Sequence, residues 1–436
     1  MWRRWLRPGL LGLALAATAL PGWVVLQGRD LREVADADLV VERLSLPSAE
    51  NGATWLAAEG SRLPPGILSA RELDGVCSCG TECALEWTWL EDVVARSEPA
   101  LQGVDKVIAA RELQVPAFVM PAGDDAVTEY SHAFQRVLCA EARLHVHHGR
   151  YAAALDSWRR LGRLGARIES ARGGVLVHAM FGRALKLAAL IGIHDLLDVH
   201  ALDPAAAREL AREVESWRAR PEAWSRMWKA EYRAVRGTWL ALRVENPPKD
   251  MLQTSIRAVR LGALRSSLYP NRRLAVVASW HRLLAAEAGR PCAQQTDLAK
   301  RFGSRFDLYG IGNLVAEHVP QLERYRVQVC SYETRTSLLQ AMLALQAHEA
   351  EQGELPARLE ALVPDYLARV PPDGFDGRPL RYSKATRTVW SVGSDLVDSG
   401  GRGDLSDRTE PTLVLPLPSA EPDQSSTPTP ITNRTA

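Results

Sequence analysis

Three cysteines lie within seven residues of this 436-residue chain, and a cluster of that kind could form disulfides or bind a metal. They are Cys77, Cys79 and Cys83 in the stretch "GVCSCGTEC", and three further cysteines stand alone in the sequence. Their spacing differs from the paired C-x2-C arrangement of structural zinc sites. Disulfides are the favoured interpretation, with free thiols and metal binding as alternatives. Because three is an odd number, at least one of them pairs with a distant cysteine or stays free.

Histidines offer a second possible metal site in "HVHHG". His145 and His148 are three residues apart, so they share one face of a predicted helix and could bind a metal with a third ligand. A simpler alternative is that polar or cationic side chains suit the negative C-terminal end of a helix. The chain has no Gly-x-Ser-x-Gly elbow, P-loop, dinucleotide fingerprint or His-Glu-x-x-His motif. We therefore predict that the protein is not an enzyme.

A row of aromatic residues could bind a partner. Trp224, Trp228 and Tyr232 are four residues apart and fall on one face of a predicted helix, and Trp217, seven residues before Trp224, is predicted to lie on the same face. One interpretation is a packed face of the helix. The other is an exposed strip that binds a partner or a membrane surface. We refer to Trp224, Trp228 and Tyr232 as the aromatic strip.

The N-terminal residues predict the location of these elements. Arg3, Arg4 and Arg7 precede an uncharged, mainly apolar run at residues 8–27. Charges followed by such a run are typical of an export signal or a membrane anchor. We favour an uncleaved anchor, with cleavage after the small residues 17–19 as the alternative. The positive-inside rule then places the N-terminus in the cytoplasm and the rest of an inner-membrane protein in the periplasm.

Overall charge excludes one class of partner. The chain has 53 basic and 52 acidic residues and a net charge of +1. No global positive field exists that could hold nucleic acid, so we predict no nucleic-acid partner. A hydrophobic content of 46% is ordinary for a globular protein that buries a core.

Periodicity and composition divide the chain into segments of a mainly α protein. We predict a membrane helix at 1–27, a mixed cysteine-containing region at 28–125, an α-helical body at 126–325, a small α+β module at 326–407 and a disordered tail at 408–436. Gly149 separates two helices that resemble one tetratricopeptide-type hairpin. The tail is rich in proline, serine and threonine, which cannot build a core.

The order of elements near the C-terminus is the most specific pattern in the chain. A long amphipathic helix ends at Gly353 and is followed by "LEALVPDYL", by "VPPDGFDGRPLRY", and by the hairpin partner "TVWSV" with the loop "GSDLVDSGG". Over the 75 residues from 333 to 407 this order resembles the C-terminal part of the major pseudopilin of type II secretion. The anchor and helical body around it resemble large uncharacterised envelope proteins of high-GC bacteria.

Two departures limit what the resemblance implies. About 300 residues separate the N-terminal run from the pseudopilin-like segment, whereas in pseudopilins the two are adjacent. The N-terminal run also lacks the processing site and the following glutamate that permit filament assembly. The resemblance therefore implies a small module displayed outside the inner membrane, and not a pilus subunit.

Calcium is the one cofactor that the resemblance implies. The family binds calcium in the last loop, where Asp395 and Asp398 match the aspartate-bearing turn and Asp404 matches a later acidic position. Calcium is bound by six to eight oxygens, and carboxylates are its usual ligands. The alternative is a solvated, glycine-rich acidic loop.

Together these observations predict a membrane-anchored, periplasm-facing, non-enzymatic envelope protein that acts as an interaction or structural scaffold. Secretion or pilus proteins are the partners that the resemblance implies. Two alternatives remain: a partner-binding helical module unrelated to secretion, and an enzyme with an unrecognised site.

Overall fold

The computed structural model describes the chain from residue 31 to residue 415 with internal gaps. The described residues are 31, 33–67, 71–73, 75–77, 85–116, 126–244, 270–302, 311–404 and 410–415. The predicted membrane helix at 1–27 lies outside these ranges. Among the described residues one helix, 176–199, is long and apolar enough to cross a bilayer, and 61% of its apolar window is buried inside the protein.

Helices account for most of the described residues. They are α1 (Gly52–Gly60), α2 (Trp87–Leu101), α3 (Val104–Ala109), α4 (Ala126–His147), α5 (Tyr151–Glu169), α6 (Leu176–Val199), α7 (Pro204–Ser216), α8 (Pro221–Val244), α9 (Pro270–Ala286), α10 (Leu298–Phe302) and α11 (Ile311–Gln352). Three short strands, β1 (Arg381–Ser383), β2 (Thr388–Trp390) and β3 (Thr412–Val414), form one antiparallel sheet in the order β1-β2-β3. The predicted mainly α fold with a small C-terminal sheet is confirmed.

Helix boundaries in the body follow local sequence signals. Gly149 has a φ of 68° between α4 and α5, a conformation that glycine adopts without strain. At the start of α7, the Asp203 side chain accepts hydrogen bonds from the amides of Ala205 and Ala206, and Pro204 takes the first helical position. The helices therefore begin and end where residues with the matching backbone preferences occur.

Helices α5 and α6 pack closely because glycines lie where they cross. A Cβ atom at Gly165 would lie 2.6 Å from the carbonyl oxygen of Gly182, which is too close for any larger residue. The same crossing places Glu169 of α5 beside Arg183 and Lys186 of α6. Close approach of the two backbones is therefore coupled to an ionic contact.

A buried ion triad forms at this crossing. Glu169 accepts hydrogen bonds from Lys186 and, at 2.9 Å, from Arg183. Lys186 also donates to the carbonyl oxygen of Trp217 at 3.0 Å, and Arg183 donates to the hydroxyl of Tyr325 in α11 at 2.7 Å. Burial opposes the charge of Lys186, but nearby acidic groups, with Glu169 first among them, together raise the pKa of the lysine, which stays protonated. The triad thereby connects α5, α6, the segment after α7, and α11.

The described residues form two large hydrophobic cores, which we call the larger and the smaller core, and two small ones. The larger core contains side chains from α1, α2, α4 to α7, the second half of α11 and the sheet. The smaller core contains side chains from α8, α9, α10, the first half of α11 and the segment 34–39. Helix α11, which is 42 residues long, contributes to both cores and joins them.

The predicted start of the C-terminal module at residue 326 lies within a single helix. Residue 326 falls inside the continuous helix α11. Its apolar stripe, which includes Leu338 and Met342, is buried in the same core as α4 to α7. The C-terminal segment therefore packs as part of the body, because the stripe that marks its helix also faces α7.

The prediction of a disordered tail at 408–436 is wrong for residues 410–415. Strand β3 pairs with β2, and the amide of Leu415 donates a 2.8 Å hydrogen bond to the carbonyl oxygen of Arg387. Leu413 and Leu415 are buried while Val414 between them is exposed. This alternation is a strand signal that the overall composition of the tail obscured. The remaining tail residues lie outside the described ranges.

Replacing Glu169 with glutamine should strongly destabilise the protein. Two buried cations would then lack their carboxylate, and breaking a buried pair in this way typically costs about 3–5 kcal/mol. The change can be measured by urea unfolding followed by circular dichroism. Asp92→Asn, which removes the exposed ion pair with Arg96, is the control and should cost at most about 1 kcal/mol. Equal unfolding midpoints for the two variants would contradict the stabilising role of the triad.

Candidate binding cleft

A cleft of about 490 Å³ opens beside the smaller core. One wall is the connector between α7 and α8 together with the first turns of α8, and the opposite wall is α11. The end of α9 with its following loop and the C-terminal segment 369–377 close the other sides. Its volume falls in the range of about 300–1,000 Å³ that is typical of ligand-binding clefts. This cleft is the candidate functional site.

Close backbone contacts bring these walls together. Gly289 has a φ of 81°, and a Cβ atom there would lie 2.9 Å from the Cγ of Pro221 at the start of α8. Gly377 has a φ of 78°, and its Cβ would lie 2.6 Å from the Cγ of Pro291. Both glycines allow the loop after α9 to approach its neighbours more closely than a larger residue would.

A disulfide fixes the same loop to the opposite wall. Cys292 in the loop after α9 is bonded to Cys330 of α11, and Cys330 lines the cleft. The two residues are 38 positions apart in the sequence. A covalent link across a loop of this length stabilises the folded protein by restricting the unfolded chain, typically by about 2–4 kcal/mol. The geometry of the cleft is therefore held by covalent as well as packing contacts.

Tryptophans form the apolar part of the cleft. Trp224 and Trp228 line it and are nearly buried, with 8% and 2% exposure. The ring of Trp228 lies perpendicular to that of Tyr325 with 5.6 Å between the centroids, and Trp224 lies 6.0 Å from the same ring. Such aromatic contacts restrict the rings to one arrangement. The apolar wall is therefore preformed.

One buried arginine in the wall is fully engaged within the protein. Arg218 donates to Glu215 at 2.6 Å, to Ser337 at 2.7 Å, to Gln340 at 3.0 Å, and to Glu333. Burial opposes its charge, but Glu333 and Glu215 raise its pKa. Arg218 therefore holds the connector against α11 and is not available to a ligand.

A second buried arginine is engaged in the same way. Arg326 donates to Glu287 at 3.2 Å and to the carbonyl oxygen of Thr296 at 2.7 Å. The Glu287 carboxylate also accepts from the amide of Thr296 at 2.9 Å. Both charged side chains are only 7% exposed, so this pair joins α9 to α11 within the protein.

Three exposed arginines surround the opening of the cleft, and we call Arg220, Arg290 and Arg369 the rim arginines. The Arg369 side chain is 72% exposed and lies 3.5 Å from Glu215, and Arg290 is 54% exposed and lies 3.7 Å from Glu287. Exposed ion pairs at such distances contribute little energy. Arg220 is exposed and has no side-chain partner among the described residues. The rim can therefore bind an anionic group.

Asp373 positions the C-terminal side of the cleft. Its side chain is fully buried, and one carboxylate oxygen accepts from the amide of Phe375 at 2.9 Å and the hydroxyl of Ser391 at 2.8 Å. The other oxygen accepts from Arg381 at 2.7 Å and the amide of Val392 at 3.0 Å. One carboxylate thus joins the turn beside the cleft to the strands that follow it.

The aromatic strip is not an exposed binding surface. Trp224, Trp228 and Tyr232 are all buried, and the hydroxyl of Tyr232 donates a 2.6 Å hydrogen bond to Asp36. The exposed-strip interpretation is therefore wrong and the packed-face alternative is right, because α8 lies against α9 and the first half of α11 on this side. Trp224 and Trp228 line the cleft with only a small exposed fraction.

Trp217 does not share the helix of the strip, contrary to the prediction from its spacing. Helix α7 ends at Ser216, and a new helix begins at Pro221. Proline has no amide hydrogen to donate and starts helices well, so it favours a break before it. Trp217 is buried in the larger core, whereas the strip belongs to the smaller one.

The structure gives one partner for the predicted disulfide candidates. Cys77 is bonded to Cys139 of α4, which is 62 residues away. Cys79 and Cys83 lie outside the described residues. The described member of the cluster therefore pairs with a distant cysteine, one of the two possibilities that an odd number of local cysteines requires.

The acidic loop does not gather its aspartates in the described structure. Asp395 and Asp398 each accept from the amide two residues further on, at 3.0 and 3.1 Å, and Asp398 also accepts from the indole of Trp390 at 2.8 Å. Asp404 accepts through its carbonyl oxygen from the amide of Thr412 at 3.0 Å. Asp395, Asp398 and Asp404 form no set of three ligands within 4.8 Å of one another. This arrangement favours the solvated-loop alternative over a preformed calcium site.

The histidines near the end of α4 have other contacts. His147 stacks on Trp87 with 3.9 Å between the ring centroids, and His148 lies 3.1 Å from a carboxylate oxygen of Glu91. Burial lowers the pKa of His145. In the described residues one set of side chains is spaced for a metal, His194 with Asp195 and Asp198, and it does not include them.

That set is accounted for by an ion pair. Asp195 accepts a 2.7 Å hydrogen bond from Arg143 of α4. Burial opposes ionisation of Asp195, but hydrogen bonds from His194 and Arg143 lower its pKa. The carboxylate already has a cation partner that connects α4 to α6, so the set has a structural explanation.

Sequence reasoning missed the rim arginines and the cleft. Arg220 and Arg290 each directly precede a proline, and Arg369 precedes Pro371 by two residues. Arginine beside a helix break is a signal that can be recognised, but it does not show that three breaks meet at one place. That information lies in the packing of α8, α9 and α11.

Replacing Asp373 should unfold the C-terminal side of the cleft. Asp373→Ala removes five hydrogen-bond acceptor contacts and leaves Arg381 without its buried partner, so we expect a loss of about 3–5 kcal/mol in urea unfolding. Asp395→Asn, in the exposed loop, is the control and should change stability by at most about 0.5 kcal/mol. Similar stabilities for the two variants would show that Asp373 does not organise this segment.

Calcium should change the melting temperature of the full-length protein little, because the three aspartates are not gathered in advance. The measurement is thermal unfolding in excess calcium and in excess chelator. A clear rise in calcium that disappears in the double variant Asp395→Ala with Asp398→Ala would overturn this expectation and establish a calcium site. Glu354→Gln, also at an exposed acidic position, is the matched control.

No protein family, curated protein or solved structure matches this chain. The resemblance of its C-terminal part to the major pseudopilin stays a prediction from the order of its sequence elements.

Proposed function

We propose that this protein is a membrane-anchored scaffold of the bacterial envelope, which displays its helical body to the periplasm and binds a partner protein through the cleft. The observation that carries this proposal is the distribution of charge around the cleft. Arg218 and Arg326 in the walls are neutralised within the protein, whereas the rim arginines remain exposed. Charged groups that the fold does not use are available to a partner.

Two further observations support the periplasmic location. The apolar run at 8–27 follows three arginines, as in exported or anchored proteins. All four cysteines in the described residues are disulfide-bonded, and structural disulfides persist in oxidising compartments such as the periplasm. The anchor, the orientation and the disulfides thus agree with one another.

A binding role is favoured over catalysis by the chemistry of the cleft. Covalent or acid–base catalysis needs a nucleophile beside a base, or a carboxyl group free to exchange a proton. The buried carboxylates that line the cleft, Glu287 and Asp373, are instead held by arginines and backbone amides. Carboxylates that are held in this way favour a fixed binding surface over a site for acid–base catalysis.

A role beside secretion or pilus proteins is the more specific form of the proposal. It is supported by the pseudopilin-like order of elements from 333 to 407. A helical binding module unrelated to secretion is the second candidate, and it is favoured by the shared core of the C-terminal segment and the body. In both cases the same cleft receives the partner.

Crosslinking in native membranes tests the scaffold. The tagged full-length protein is crosslinked, purified, and analysed by mass spectrometry beside a control that carries only residues 1–30. We expect a small set of envelope proteins to be enriched over the control, and secretion or pilus components would select the first form. A full-length protein that enriches nothing over the control would contradict the proposal.

A further inference from the structure

We infer that the cleft binds an extended acidic peptide segment of its partner, with carboxylates on the rim arginines and an apolar side chain between them. This inference rests on the proposed binding function of the cleft and names the chemistry of its ligand. It follows from the positions of the three arginines, from the apolar surface between them and from the weakness of their internal contacts.

The rim arginines stand on three different sides of the cleft. Arg220 lies on the connector before α8, Arg290 on the loop after α9, and Arg369 on the segment that leads to the sheet. A small anion is bound best by donors that converge on one point. Three guanidinium groups distributed around an opening suit several carboxylates along a chain.

Guanidinium groups match carboxylates well. Arginine presents a planar set of donors that binds both oxygens of a carboxylate at once. The rim arginines make only long internal contacts, 3.5 Å for Arg369 and 3.7 Å for Arg290, and Arg220 has no side-chain partner among the described residues. A peptide carboxylate can therefore bind them without breaking a strong internal interaction.

The surface inside the rim is more apolar than polar. Side chains of Trp224, Trp228, Leu284 and Val329 line it, together with Pro221. A side chain such as leucine would cover this surface if acidic side chains on the same face of the peptide reached the rim. Successive side chains of an extended segment point in opposite directions, so side chains two positions apart share a face and are about 6.4–6.8 Å apart along the chain. Acidic residues two positions before and two positions after the apolar residue therefore fit both features of the cleft.

Binding to degenerate peptide pools tests this ligand. The purified full-length protein in detergent is titrated with a fluorescein-labelled decapeptide pool that has a fixed leucine and fixed glutamates two positions before and after it. A second pool has glutamines in place of these glutamates. Fluorescence anisotropy reports the affinity. We expect the glutamate pool to bind at least about tenfold more tightly, because charge-assisted hydrogen bonds are roughly twice as strong as neutral ones.

The variant that tests the site combines Arg220→Glu, Arg290→Glu and Arg369→Glu. Its control combines Arg96→Glu, Arg111→Glu and Arg358→Glu, which change the charge equally at exposed positions away from the cleft. We expect the rim variant to lose at least about tenfold in affinity for the glutamate pool, while the control binds as the unchanged protein does. Circular dichroism of both variants checks that the fold is retained.

Several results would overturn the inference. They are equal binding of the two pools, no binding of either pool, and equal loss in the rim variant and its control. Competition by inorganic phosphate, or by phosphatidylglycerol vesicles, at the same concentrations as the peptides would instead assign the rim to phosphate groups. If membrane crosslinking recovers the same partners with the rim variant, the scaffold stands and the acidic-peptide inference fails. If crosslinking recovers no partner but the peptides bind, the scaffold proposal fails and the acidic-peptide inference stands.

Discussion

The carboxylate of Glu169 connects four parts of this structure through the two cations that it binds: α5, α6, the connector after α7, and α11. It neutralises Arg183 and Lys186 at the crossing of α5 and α6, and each cation then reaches a third element. Lys186 holds the carbonyl oxygen of Trp217 in the connector, and Arg183 holds the hydroxyl of Tyr325 in α11. The connector and α11 are two walls of the cleft, so the binding geometry depends on a charge contact outside it.

The buried ion triad is better explained by its selection of one helix packing than by its contribution to the stability of the protein. Removing three charged groups from water is costly, and apolar residues of the same size would often give equal or greater stability. A cation inside a core, however, excludes every packing in which it lacks a carboxylate. Glycines at positions 165 and 182 allow many close helix crossings, and the triad selects the one in which Glu169 lies between both cations. We regard the triad as the device that fixes this crossing.

Sequence reasoning succeeded where the determining contacts are local. Gly149, Asp203 and Gly353 mark helix ends through backbone conformation and capping, and the helical fold follows from periodicity. It failed where contacts join distant residues. Nothing near Cys77 indicates Cys139, and the composition of the tail concealed a strand whose partner, β2, lies over 20 residues earlier. The cleft was unpredictable for the same reason, since its walls come from four separate parts of the chain.

The rim arginines differ from the other arginines that line the cleft in how they are used by the fold. Arg218 and Arg326, the other two arginines that line the cleft, have structural tasks: Arg218 holds the connector against α11, and Arg326 joins α9 to α11. Arginine carries a large entropy cost when it is ordered, so an exposed arginine with only long contacts gains little for the fold. Three of them around one preformed concave surface are better explained by a ligand that supplies the missing carboxylates than by the stability of the protein itself.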